Sequence, residues 1–245
     1  IIIIGESALE LQSGKFIFEE IKNYLINNNF INEEWNALNV LVQNASTVGL
    51  LDLKMLSHQE DNNFVFFDKL NSNKFKFLYL LGSDNLEFKK NNEFIVYQGS
   101  HGDRGADLAD VIFPSSTYTE QNGLYSNLEG RVQECKKASY PIGESLEDWK
   151  IFNLILKKLG KIDCLNNFET LRKETVNSVI NFSQINNLPQ RLINKNDKVN
   201  SEFYSEEILI KKLDYYYTNS ISRASKTMSE CRQINEKIPK TGTNN

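Results

Sequence analysis

The densest gathering of reactive side chains is VYQGSHGDRGADLADVIFP, Val96 to Pro114, where His101, Asp103 and Arg104 stand among Gly99, Gly102 and Gly105. An imidazole, a carboxylate and a guanidinium are thus set on backbone that glycine leaves free to turn tightly. After a strand of an open α/β sheet, such a loop lies where ligands sit. The functional reading is a nucleotide-type or pterin-type site. The plainer one is that glycine serves the turn while Asp103 and Arg104 satisfy backbone groups or a neighbouring subunit. G-x-x-G-x-x-G is not the dinucleotide-binding pattern, so spacing alone favours the plainer reading. On the plainer reading, Gly99→Val is expected to act by disturbing the turn and so mainly to block assembly.

Other candidates fail on spacing. Between Tyr118 and Gln133, Glu120 and Glu129 could suggest acid-base work beside Arg131, but two carboxylates need a defined separation for that. An ion-paired loop is the expected account. Gly14 and Lys15 lack the rest of a phosphate-binding loop, because Phe16 follows where Ser or Thr is required. Ser7 follows Gly5 like the start of a nucleophile elbow, yet Leu9 replaces the second glycine. Cys135, Cys164 and Cys231 are far apart, with no C-x-x-C to seed a zinc or iron-sulfur site, and read as reduced. His58 and His101 are the only histidines, which removes most metal and histidine-paired nucleophile chemistry.

Composition sets the frame. The chain has 245 residues, 40% hydrophobic and 24% charged, with a formal net charge of −4, the range of an ordinary globular protein with a core of its own. Ile1 to Ile4 and Phe77 to Leu81 are its longest apolar runs, far short of the ~20 residues that cross a bilayer. Lysine and arginine are interspersed with acids and form no basic stripe, so protein rather than nucleic acid is the expected partner. About thirty asparagines, with abundant Ile, Lys, Phe and Tyr, point to an A/T-rich genome such as an organelle's. No targeting leader is legible at Ile1, and the chain is expected to be made where it works.

The elements that would hold the glycine-rich segment follow from periodicity and breakers. Ile1 to Ile4 before Gly5 reads as a parallel core strand. Lys15 to Ile26 reads as a helix whose apolar face is Ile17, Ile21, Tyr24 and Leu25, ended by Asn27 to Asn29. A second helix is expected from Asn32 as N-cap, with Leu38, Leu41, Val42 and Ala45 on its face and Gly49 as its stop. Residues 57 to 74 read as an excursion containing the apolar patch Phe64 to Phe67. Phe75 to Leu81, Phe94 to Tyr97 and Asp110 to Phe113 each look like a strand stopped by Gly or Pro, with a short helix over Asp103 to Ala109. Ser145 and Asp148 form a capping-box pattern before a helix burying Trp149, Phe152, Ile155, Leu156 and Leu159, with Gly160 at its end. Phe168 to Phe182 is helix-compatible, Gln184 to Ser201 a loop interrupted by Pro189, and Ile221 to Glu236 a polar helix in need of a partner surface.

Four blocks carry a resemblance: WNALNVLVQNASTVGLLDL from Trp35, YQGSHGDRGADLADVIFPSSTYTEQNGLYSNLEGRVQ from Tyr97, GESLEDWKIFNLILKKLG from Gly143 and YYYTNSISRASKTMSEC from Tyr215. In that order they resemble the C-terminal part of the large iron-sulfur subunit of mitochondrial respiratory complex I. The ADVIFP, Glu120 and NLEGRVQ succession also resembles the wider molybdopterin oxidoreductase superfamily. The resemblance implies an α/β fold over residues 1–163, an incomplete doubly wound, mostly parallel sheet of the molybdopterin oxidoreductase type, completed by another chain. Residues 164–245 are then a helical and loop extension packing on that domain or on partner subunits. It implies a scaffold with no catalytic, cofactor-binding or metal-ligating residue of its own. FMN and iron-sulfur clusters are expected in partner chains: the N-terminal portion of the same subunit as a separate polypeptide, and the flavin-bearing and other iron-sulfur subunits. The implied location is the matrix side of the mitochondrial inner membrane, with an organelle gene. The alternative is a fragment of a pterin-dependent oxidoreductase that still binds its cofactor near Gly99 to Arg104.

Overall fold

The computed structural model describes residues 1–55, 68–161, 167–188, 201–205 and 214–237. His58, Cys164, Pro189, the patch Phe64 to Phe67 and most of the expected 184–201 loop lie outside them. In chain order the elements are β1 (Ile2–Gly5), α1 (Glu6–Leu9), α2 (Gly14–Asn27), β2 (Leu38–Leu41), α3 (Thr47–Asp52), β3 (Phe77–Leu81), β4 (Phe94–Gly99) and α4 (Arg104–Leu108). They continue with β5 (Val111–Pro114), β6 (Gly123–Ser126), β7 (Val132–Cys135), α5 (Asp148–Lys158), α6 (Phe168–Ser178), a 3-10 turn (Ile180–Ser183), α7 (Ser220–Ala224) and α8 (Lys226–Lys237). The chain divides into two compact units, Ile1–His58 with Asn122–Lys136 and Leu165–Ile210, and Gln59–Gln121 with Lys137–Cys164 and Lys211–Asn245.

In the first unit β1 pairs in parallel with β2, from Ile2 opposite Leu38 to Gly5 opposite Leu41. Ile4 is buried while its alternate neighbours Ile1 and Ile3, and Leu41 across the pair, are exposed, so one side of the ribbon is bare. α2 spans the expected residues and ends as expected: Asn29 takes a positive φ of 60, and Phe30 N–H reaches Leu25 O at 2.8 Å and Asn29 N–H reaches Ile26 O at 3.0 Å. Those two bonds satisfy carbonyls that a helix end leaves unpaired. Of its expected face Leu25 is buried, whereas Tyr24 is exposed.

The second helix is where the structure corrects the sequence. Asn32 does capping chemistry, accepting the N–H groups of Glu34 at 2.9 Å and Trp35 at 2.8 Å, but closes a turn in which Ile31 bridges Asn36. The chain then enters β2, because Leu38 to Leu41 can pair with β1 and Val40 suits a strand. Gly49 lies inside the short α3 instead of ending a helix. The stretch expected to be an ion-paired loop is an antiparallel hairpin, β6 on β7, from Gly123 opposite Cys135 to Ser126 opposite Val132. Asn127 Oδ1 closes its turn by accepting from Glu129 N–H and Arg131 N–H, both at 3.0 Å.

The second unit is built on the parallel sheet β3-β4-β5, as the strand-and-breaker pattern predicts. Leu78, Leu80, Ile95 and Tyr97 alternate onto one face and form a core with Leu70. α4 is the short helix expected after the glycine loop. α5 is not entered through a capping box: Glu147 is its N-cap residue, and Ser145 Oγ donates to Ile142 O at 2.8 Å. Its buried residue is Ile151, while Phe152, Leu156 and Leu159 are exposed, so the expected burial of that face is not found. Gly160 does end it, at φ +73, with Lys161 N–H on Leu156 O at 3.0 Å. The expected tail helix is two helices broken at Ser225, whose backbone is extended, with Asn219 and Ser222 forming a reciprocal capping box at the start of α7.

Candidate functional site

At the carboxyl ends of β3, β4 and β5 the second unit holds a cleft of about 390 Å³. Parallel strands bring it about: Leu81 ends β3, Gln98 is the last residue but one of β4, Ser115 directly follows β5, and α5 begins beside them with Asp148. Asp148 organises the floor. Its Oδ1 accepts from Gln98 Nε2 at 2.6 Å and from Ser115 Oγ at 2.5 Å, and its Oδ2 from Gln121 Nε2 at 3.1 Å. Gln98, fully buried in mid-sheet, also accepts from Tyr79 Oη at 2.5 Å. A carboxylate with three donors is well compensated for its partial removal from water.

The three glycines of the loop enclose a side chain. Tyr97 is fully buried, and its hydroxyl donates to Asp84 Oδ1 and accepts from the backbone of Gly102. A Cβ on Gly99 would stand closer than 3.0 Å to that hydroxyl, and one on Gly105 would collide with Ser83 O and crowd the Tyr97 ring. Gly99 and Gly105 are thus required for close approach of Tyr97, and Gly102 for its positive φ of 75.

The residues singled out by type do not converge. His101 lines the cleft and shares a hydrogen bond of 2.8 Å with Ser100 Oγ. Asp103, at a positive φ of 72, pairs with Arg223 of α7, and Arg104 pairs with Glu87. The plainer reading, that Asp103 and Arg104 satisfy other groups of the protein, describes this geometry. Glu120 accepts from Thr117 N–H at 3.1 Å and Arg131 reaches Asn186 O at 3.4 Å, so Glu120, Glu129 and Arg131 form no ion-paired set among the described residues. Sequence reasoning missed Asp84, Tyr97, Gln98 and Asp148 as the groups that build the site. A glutamine inside the apolar run FIVYQG was the available signal, since a buried strand amide needs a partner.

Burial, followed by the hydrogen bond to Asp84, pushes the Tyr97 hydroxyl well above the usual tyrosine range. Tyr79 is raised as well, by burial and then by the Asp148 charge. A pKa raised on folding adds stability that is complete below the unfolded value, near ~10, and is lost as pH climbs past it. Unfolding free energy is therefore expected to fall with rising pH above about 10. Urea unfolding across that range should show Tyr97→Phe with a shallower decline, and with a loss of about 1–3 kcal/mol at neutral pH from the abandoned Asp84 and Gly102 groups.

Comparison with known proteins decides the kinship. Residues 1–158 match the family described as Molybdopterin oxidoreductase. The chain belongs to the molybdopterin oxidoreductase family. Residues 186–231 also match the C-terminal region of the G-type subunits of NADH-ubiquinone oxidoreductase. Among relatives, the NADH-ubiquinone oxidoreductase 75 kDa subunit of Reclinomonas americana is 36% identical over 239 residues, 96% of this chain and 34% of the relative. The mitochondrial 78 kDa subunit of Candida albicans is 37% identical over 243 residues, 94% of this chain and 32% of its own length. The G-type subunit of NADH-quinone oxidoreductase from Rickettsia conorii is 34% identical over 239 residues, 96% of this chain and 33% of its own. The chain spans about a third of the length of the curated relatives it matches.

The family name implies a pterin cofactor, an anion through its phosphate, and the cleft does not fit one. Its charged lining is Asp84 and Asp148, with no lysine or arginine among the described residues, and Tyr97 already takes the Gly102 N–H. One buried hydroxyl of the lining, Ser116 Oγ, has no hydrogen-bond partner, too little to offset two carboxylates facing an anion.

Proposed function

We propose that the chain is a scaffold part of the peripheral arm of NADH:ubiquinone oxidoreductase, respiratory complex I, and docks as a separate polypeptide on the cluster-bearing portion that makes up the rest of its relatives' length. The observation that carries this reading is the likeness to the 75 kDa, 78 kDa and G-type proteins along 94–96% of the chain. The first unit supports the docking: β1 and β2 are a parallel pair with both outer edges unpaired among the described residues and with Ile1, Ile3 and Leu41 bare. Parallel strands are ordinarily buried on both faces, and two alone are marginal. A strand added by the docking portion would complete the sheet.

On this reading no residue here is catalytic or holds a metal or cofactor, FMN and iron-sulfur clusters sit in partner chains, and residues 164–245 pack as an extension on the domain or on partner subunits. The complex lies on the matrix side of the mitochondrial inner membrane, served by an organelle gene. No helix among the described residues is long and apolar enough to cross a membrane, so attachment would be through other subunits.

Native gel separation of mitochondrial membranes, with mass spectrometry of the NADH-oxidising band, tests the proposal. This chain should comigrate with flavin and iron-sulfur subunits and with a separate polypeptide covering the other two-thirds of the relatives. Recovery only in another fraction would sink it. Stoichiometric molybdenum or tungsten bound to this chain would favour the pterin-binding alternative, against the acidic lining of the cleft.

A further inference from the structure

The sheet of the second unit has a second face, only partly covered. Phe77, Tyr79 and Leu81 alternate onto it from β3, in register with Phe94, Val96 and Gln98 of β4. α5 covers the carboxyl end, where Asp148 bonds Gln98 and Phe152 stacks on Tyr79 with ring centroids 5.5 Å apart. It leaves the amino end open: Phe77 and Phe94 stack at 6.4 Å and are 56% and 48% exposed. Tyr79 joins the two pairs, its ring 6.4 Å from that of Phe77. One turn and two turns on from Phe152, Leu156 on α5 and Leu159 at its C-cap extend the row, 40% and 69% exposed. The stripe therefore runs unbroken from sheet to helix, unlike the isolated apolar residues common on any surface.

Its rim is basic. α5 starts beside Gln98 and passes Tyr79 in mid-strand, so it runs against the strands and carries Lys157 and Lys158 toward their amino ends. Lys74, Lys76 and Lys89 lie on the approaches to β3 and β4. All five are exposed, and none has an ion pair among the described residues. Of the acids at these ends, Glu93 before β4 is buried and accepts the Asn91 N–H, and Asp110 before β5 is taken by Lys90 at 2.6 Å. In a chain of net charge −4 this is a local excess of positive charge beside bare aromatic rings.

We propose that the Phe94–Phe77–Tyr79–Phe152–Leu156 stripe is a docking surface for an acidic amphipathic segment of another protein subunit, an apolar face flanked by Asp and Glu. Charge selects the occupant: a second copy docking through the same stripe would set lysine against lysine. The rings are already stacked, Phe77 and Phe94 within 14° of parallel and Tyr79 and Phe152 within 29°, which gives a fixed relief that protein side chains can match. An anionic lipid surface needs no such relief and is the competing arm of the test.

A photoreactive benzophenone amino acid in place of Leu156, in the full chain within its native assembly, reads the occupant directly by mass spectrometry. The expected adduct is with another polypeptide, at apolar residues flanked by Asp or Glu. Adding Lys157→Glu and Lys158→Glu should cut its yield about tenfold, while Lys157→Arg with Lys158→Arg should keep it. Flotation of the full chain with vesicles of equal parts phosphatidylcholine and cardiolipin should show no binding. An adduct with lipid, with a second copy, with this chain's own residues or with nothing overturns the proposal, as does indifference to charge reversal. The reading is independent of complex I membership, because the adduct identifies a partner in whatever assembly the gel reveals.

Discussion

Asp148→Ala is expected to destabilise the second unit by about 3–5 kcal/mol. The methyl group leaves Gln98 Nε2, Ser115 Oγ and Gln121 Nε2 without their acceptor. Gln98 and Ser115 are 0% and 5% exposed, so their donors lose their protein acceptor where the parent holds them out of water. The Gln98 amide is also what Tyr79 Oη donates to, and the damage should spread along that chain of bonds. Asp148→Asn keeps an acceptor toward Gln98 and Ser115, loses the one toward Gln121, and should cost less than half as much. Chemical denaturation of the three proteins checks the order; an alanine variant as stable as the parent would show that the network contributes nothing net.

Gly99→Val should prevent the second unit from folding, and the milder Gly99→Ala should cost about 3 kcal/mol. The reason differs from the turn disturbance that the sequence suggests, because Gly99 is not among the glycines with positive φ. The added carbon collides with the hydroxyl and ring of Tyr97, a buried side chain held by Asp84 and Gly102 and unable to swing away. Gly82 supplies the contrast: it has a φ of +59 and nothing within 4 Å of its missing Cβ, so Gly82→Ala should cost only about 1 kcal/mol. If the chain acts as a scaffold, Gly99→Ala lowers the abundance of its assembly and leaves the turnover of each assembled complex unchanged. Equal losses at Gly82 and Gly99 would return the explanation to turn geometry.

The parts legible in the sequence are those decided locally. Strands β3, β4 and β5 are short apolar runs ended by Gly or Pro, and α2 and α5 stop at Asn29 and Gly160, whose backbone sets the helix end within a few residues. The misreadings share a distant cause. Leu38 to Leu41 has a helical spacing of leucines, and β1, more than thirty residues earlier, makes it a strand. Ser145 and Asp148 have capping-box spacing, yet the Asp148 carboxylate is used by Gln98, fifty residues away. The glycine loop advertised a ligand, and the group it accommodates is a tyrosine of the preceding strand. Fold class and kinship could be read from the chain; the chemistry of the cleft could not, because the donors and acceptors meet only once the sheet has formed.

The partition into two units has a bearing on biosynthesis. Each draws on three separate stretches, so the chain crosses from one to the other at residues 58/59, 121/122, 136/137, 164/165 and 210/211. The pair of Asp103 with Arg223 joins residues 120 positions apart, and the cleft wall from Asn219 to Ile221 belongs to the third stretch of the second unit. The second unit cannot close its cleft until residues 219–223 have left the ribosome, whereas the first needs nothing beyond Ile210. Strands β3, β4 and β5 all lie in the stretch from Gln59 to Gln121 and can pair before that, so a premature stop anywhere before Arg223 leaves the second unit unlatched however complete its sheet.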